Sequence, residues 1–240
     1  MLLPLKDDNP TRITPYATYI FIGLNLLGFF MELQAPSVIT QRKLVLSMGA
    51  MPGRFLDDVA VRNFYDVAVR DFFLPAWLTL FTSLFLHAGW LHLGSNMLYL
   101  WIFGNNVEEY LGHGRFAIFY LLSGAAATWG HILVNPSSVT PLIGASGAIA
   151  GVLGAYILLY PRHQVRCLLF VFILVQFIKL PAVWVLGFWF VIQLFQGTIS
   201  LGAATSDGVA WFAHIGGFGA GLLLIQMARK FGWNEYRNWS

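Results

Sequence analysis

The sequence predicts an all-α membrane protein: a bundle of six transmembrane helices with a membrane-associated first outer loop. Three observations predict it. Of 240 residues, 58% are hydrophobic and only 10% are charged, against roughly a quarter charged in soluble domains. The mean hydropathy is +0.67. Apolar runs recur from residue 16 to residue 228 with no polar block between them long enough to fold alone. A single domain over 16–230 is therefore expected, with a short cytoplasmic N-terminus at 1–15 and a cytoplasmic tail at 231–240.

The runs place the spans at about 16–33, 89–105, 115–134, 144–160, 181–199 and 209–228, each near the ~20 residues that a bilayer requires. The first run is too long for a signal-peptide core and lacks a small-residue cleavage pattern, so it is expected to be retained. The apolar stretch from Phe72 to Phe103 exceeds one crossing, and its first part, through His87, is assigned to the end of the outer loop, broken at Gly89. The run Cys167 to Ile178 has only twelve residues, a length that lies at the interface or re-enters more often than it spans. If it does not cross, the fourth and last spans place Ser146 and His214 at the same depth; if it crosses, the two cannot meet. The segment 202–208, GAATSDG, is small and flexible enough for a movable cap. No internal repeat is found, which weakens a transporter built from inverted repeats.

The excess of 14 Lys and Arg over 11 Asp and Glu follows the membrane, not a nucleic acid. Lys6, Arg12, Arg115, Arg162, Arg166, Arg229, Lys230 and Arg237 all fall on one side when the N-terminus is cytoplasmic. The outer loop runs against this pattern with Arg42, Lys43, Arg54, Arg62 and Arg70. With one cysteine, Cys167, an internal disulfide is excluded.

Strongly polar side chains inside spans are functional hypotheses by default. Four are singled out: His92, Asn96, Ser146 and His214. His92 and Asn96, four apart, share one helix face. Ser146 begins its helix, where free N–H groups and the positive dipole end favour a developing anion. A nucleophilic serine needs a base, and His214 is the candidate by depth. Ser146, Ala150 and Gly154 form one small-residue stripe, with Gly147 and Gly151 beside it. His214, Gly217 and Gly221 form another, and such faces let membrane helices approach closely. The spans are read as holding no Asp or Glu to complete a triad, so a dyad is expected. Each feature has an ordinary reading as well: the serine as an N-cap, the glycines as packing devices, the His–Asn pair as a satisfied interhelical contact. Their conjunction at one depth favours chemistry. His92 and His214 would supply only two ligands where zinc wants three or four, so neither metal nor cofactor is expected.

Three motifs in order, HAGWLHLGSN at 87–96, GASGAIAG at 144–151 and AHIGGFGAG at 213–221, together with FGNNVEEYLGHGRF at 103–116, resemble the rhomboid family of intramembrane serine proteases. The resemblance covers the chain from about residue 72 to its end. It implies a six-span rhomboid-like bundle with Ser146 as nucleophile, His214 as general base, and His92 and Asn96 stabilising the oxyanion with the Ser146 backbone. His87, Gly144, Gly147 and Gly217 are the supporting positions, and Glu108 takes a structural role. The Trp-Arg pair common in the first outer loop of bacterial members is absent, and Trp77 stands alone.

The expected activity is hydrolysis of a peptide bond in or beside a transmembrane segment of a single-span membrane protein, near the outer face. A bacterial inner membrane is the expected location. Two alternatives belong to other classes. A non-catalytic rhomboid-like binder of membrane helices would lack the nucleophile or the base, and a small-solute transporter would keep its transport in a Ser146→Ala variant.

Overall fold

The computed structural model describes residues 2–56, 74–171, 174–201 and 209–233. Helices stand at all six places where the sequence predicts spans: α1 (Tyr16–Leu33), α4 (Trp90–Leu111), α5 (His113–Val134), α6 (Ser146–Leu159), α7 (Ala182–Ser200) and α8 (Trp211–Lys230). Between α1 and α4 lie α2 (Val38–Met48) and the short α3 (Ala76–Thr82). The expected cap at 202–208, and Arg62 and Arg70 of the outer loop, lie outside the described residues.

Four helices, α1, α5, α7 and α8, are long and apolar enough to cross a membrane. The other two depart for physical reasons. On α4 the apolar surface is interrupted by His92, Ser95, Asn96, Asn105, Asn106, Glu108 and Glu109. The α6 helix has only 14 residues, about 21 Å at 1.5 Å per residue, against a hydrocarbon thickness of ~30 Å. A helix that short can serve only if its neighbours meet the lipid for it, and every residue from Gly147 to Tyr156 is buried. It packs against α8, α5, α4 and α7 and forms the centre of the core. Its first residue, Ser146, is thereby recessed within the bundle.

The expectation of an all-α chain is corrected by a three-stranded antiparallel sheet, order β1-β2-β3. Its strands are β1 (Leu2–Asp7), β2 (Gln164–Val171) and β3 (Leu174–Pro181). The described part of the run 167–178 is thus not a helical span: 167–171 and 174–178 belong to the paired strands β2 and β3. Gln164 pairs with Pro181, and the Ala182 N–H donates to the His163 carbonyl at 2.8 Å. The chain therefore leaves α6 and enters α7 at the same end of the bundle. This geometry satisfies the condition under which Ser146 and His214 can meet. The expected N-terminal tail also acquires structure, since β1 pairs with β2 from Leu2↔Leu169 to Asp7↔Val165.

Two carboxylates organise the opposite ends of α1. Glu108 accepts the Ala17 and Thr18 N–H groups at 2.8 and 2.7 Å and the Thr18 hydroxyl at 2.6 Å. It satisfies donors that a helix N-terminus leaves free, so its role is structural, as the sequence led us to expect. Glu32, buried near the other end, overturns the reading that no acid lies inside the spans. It accepts the His87 N–H at 2.9 Å and does not complete a triad.

Candidate active site

The meeting of α6 and α8 is made possible by glycine. A Cβ built on Gly217 would fall on the Gly147 carbonyl oxygen, and one on Gly221 would fall on that of Gly151. Backbone thus lies against backbone, the approach that small-residue faces permit between membrane helices. The contact fixes the register of the two helices, and His214 Nε2 lies 2.9 Å from Ser146 Oγ.

The other face of the imidazole is held by a residue absent from the sequence reading. His214 Nδ1 is 2.8 Å from Oε1 of Gln193 on α7. The orientation of this amide follows from its second bond, because Gln193 Nε2 donates to the Trp189 carbonyl at 3.1 Å. With the NH2 group committed to a carbonyl, Oε1 faces the ring and accepts the Nδ1–H. The tautomer that results carries its lone pair on Nε2, toward Ser146. Trp189 and Trp211 flank the ring at centroid distances of 5.8 and 6.3 Å. Gln193 had a legible signal: it is a strongly polar side chain inside an apolar span.

Ser146 follows Gly144, whose φ of +117° suits glycine alone. A Cβ there would stand 2.6 Å from His92 Nε2, so the turn into α6 runs directly under that ring. The Gly144 N–H is anchored on the Ser83 carbonyl at 2.9 Å. The ring of His92 is turned by the Ala88 N–H, 3.3 Å from Nδ1, and is braced edge-on by His87 at 4.9 Å between centroids. One turn further along α4, the Asn96 amide nitrogen is buried and has no partner among the described residues. His92, Asn96, Ser146 and His214 all line one cavity of about 740 Å³.

All four residues singled out in the sequence therefore surround one space. Of the supporting set, His87 and Gly144 touch the His92 side, whereas Gly147 and Gly217 act between α6 and α8. His131, given no role in the sequence reading, also lines the cavity. No group of three or more His, Cys, Asp or Glu able to hold a metal occurs among the described residues. The arrangement provides a hydroxyl, an imidazole able to accept its proton, and unfilled donors from Asn96 and the first turn of α6.

Comparison with known proteins identifies the family. Residues 75–231 match the Rhomboid domain family. The chain is 33% identical over 162 residues to Rhomboid-like protein 11, chloroplastic, of Arabidopsis thaliana, covering 65% of this chain and 54% of that protein. It is 33% identical over 141 residues to Rhomboid protease GluP of Bacillus subtilis (strain 168), covering 59% of this chain and 24% of that protein. Over 112 residues it is 37% identical to Rhomboid protein 1, mitochondrial, of Saccharomyces cerevisiae, covering 45% and 32%. The chain spans about a quarter to a half of the length of these relatives. With the match extending over more than half of its residues, the chain is an integral membrane protein that belongs to the rhomboid family.

Proposed function

We propose that this protein is an intramembrane serine endopeptidase that cleaves transmembrane segments of single-span membrane proteins near the outer face. The observation that carries the reading is the 2.9 Å contact between His214 Nε2 and Ser146 Oγ. The Bacillus subtilis relatives named rhomboid protease and putative rhomboid protease support it. His214 Nε2 takes the Ser146 proton as Oγ attacks the scissile carbonyl, and the resulting imidazolium donates Nδ1–H to Gln193. The tetrahedral oxyanion is met by the Asn96 amide, by His92 and by the Ser146 N–H. A donor in such a position contributes about 3 kcal/mol to barrier lowering. His214 then protonates the departing amine, leaving an acyl-enzyme. A water activated by the same imidazole releases the new carboxylate and restores the serine.

The recessed hydroxyl dictates what the substrate must do. A peptide bond inside a helix is shielded and hydrogen-bonded, so the segment unwinds before it reaches Ser146. Segments with small or helix-breaking residues near the outer face are the favoured substrates, and a bacterial cell membrane is the setting assigned. Cleavage of a model single-span substrate by purified protein tests the reading. Ser146→Ala and His214→Ala are each expected to lower turnover by at least ~10⁴-fold, and undiminished cleavage by both variants would end the proposal. Persistent transport or helix binding without cleavage by the unaltered protein would favour the transporter or binder classes.

A further inference from the structure

The catalytic cavity has a wall that no catalytic helix supplies. Leu2 and Leu3 of β1 line the same space as Ser146 and His214. Along α6 the lining residues are Ser146, Ile149 and Leu153, and along α4 they run from Leu91 to Tyr99. Seven residues of helix are two turns, about 10 Å, so the cavity continues inward from the nucleophile by that distance. The strand reaches it because its far end is fixed. Asp7 accepts the Tyr156 hydroxyl at 2.7 Å, Asn106 Nδ2 donates to the Asn9 carbonyl at 2.8 Å, and β1 packs against α4. Tyr156 lies ten residues along α6 from Ser146, about 15 Å inward. From Asp7 the strand advances ~3.3 Å per residue and meets the cavity at Leu3 and Leu2. Leu2 and Leu3 are only half-buried, whereas Pro4 beside them is buried.

We propose that Leu2 and Leu3 form a substrate subsite, a specificity wall of the proteolytic site that admits aliphatic side chains and rejects aromatic ones. The inference rests on the protease reading above. An extended chain advances ~3.3 Å per residue, so the ~10 Å of cavity inward of the nucleophile holds about three residues beyond the scissile bond, and the subsite receives one of them. Tyr99 and Leu153 line the same cavity. Apolar pockets discriminate by size, with each methylene altering the rate by about tenfold or more.

The test uses the full chain in proteoliposomes and single-span substrates that differ only in an Ala, Leu or Phe placed in turn at the four positions inward of the cut. At one of these positions the unaltered protein is expected to cut the Phe substrate at least ~10-fold less efficiently than the Ala substrate. Leu2→Ala/Leu3→Ala is expected to recover most of that ratio in kcat/KM, and Leu3→Trp to extend the rejection to Leu. Fluorophosphonate labelling of Ser146 reports that each variant is folded. If the double variant is not labelled, Leu3→Val is expected to give a smaller shift in the same direction. Phe177→Ala, on the same sheet but exposed and away from the cavity, is expected to leave the ratio unchanged. An unchanged Phe/Ala ratio in all wall variants, or an equal shift in Phe177→Ala, would overturn the subsite while leaving the protease reading intact. Failure of the unaltered protein to cut any substrate or to be labelled would overturn the protease reading itself.

Discussion

At the scale of residues, a neutral amide stands beside the His214 imidazole where a triad would place a carboxylate. Gln193 fixes the His214 tautomer through one hydrogen bond, with its own amide held by Trp189. A neutral bond of this kind is worth about 1 kcal/mol. Gln193→Ala is therefore expected to lower kcat by about fivefold with little change in KM, a loss far smaller than removal of the base itself. Gly144 combines a left-handed φ with a contact surface for His92. Gly144→Ala forces either strained backbone or a displaced imidazole, at a cost of about 1–3 kcal/mol. A kcat reduced by tenfold to a hundredfold in steady-state cleavage is the expected outcome. The sequence made Ser146, His214, His92 and Asn96 legible because each is a polar group where hydrocarbon should be. Gln193 obeys the same rule, but no motif or shared helix face in the sequence ties it to His214. Its position midway along α7 is that of a partner reaching sideways to a neighbouring helix.

At the scale of elements, the α6–α8 contact and the sheet answer to different physics. The helix pair rests on glycine against backbone, so Gly217→Val has no room to relax: its new atoms meet a carbonyl oxygen, not a flexible side chain. Overpacking of this kind costs about 1–3 kcal/mol, and a lower Tm together with lost Ser146 labelling is expected. The sheet is clamped by charge at its base. Asp8 is bonded by Lys179 Nζ at 2.8 Å and by Arg166 Nε at 2.7 Å, and these two cations hold its carboxyl below the ordinary value of 3.8. Burial instead raises neighbouring Asp7, against the hydrogen bond from Tyr156. Because the folded value of Asp8 is depressed, its contribution is complete above the ordinary carboxylate range. It is lost as pH falls through the lowered value. Hydrogen exchange of the β1 and β2 amides is expected to quicken over that acidic interval, and Asp8→Asn to remove this pH dependence. The helices were legible from apolar runs, as the match of 16–33 to Tyr16–Leu33 shows. The strands were not. Residues 167–175 carry no polar alternation, so period-2 patterning gives no signal, and β1 is read as a tail because its partner lies far along the chain.

At the scale of the whole molecule, the sequence supported the bundle because each helix announces itself locally. It could not give the sheet, which is defined only by pairing between distant segments. That distance has a consequence in time. Arg166 and Asp8 are 158 residues apart, and at ~5–20 residues per second synthesis takes roughly 8–30 s to cover the interval. Throughout it β1 waits unpaired, and by its end α1, α4, α5 and α6 exist as chain. Closure of so long a loop comes late in assembly. The nascent protein thus passes through a stage in which the helices that carry Ser146, His92 and Asn96 stand beside an unfinished flank, and the last strand to dock completes the chamber.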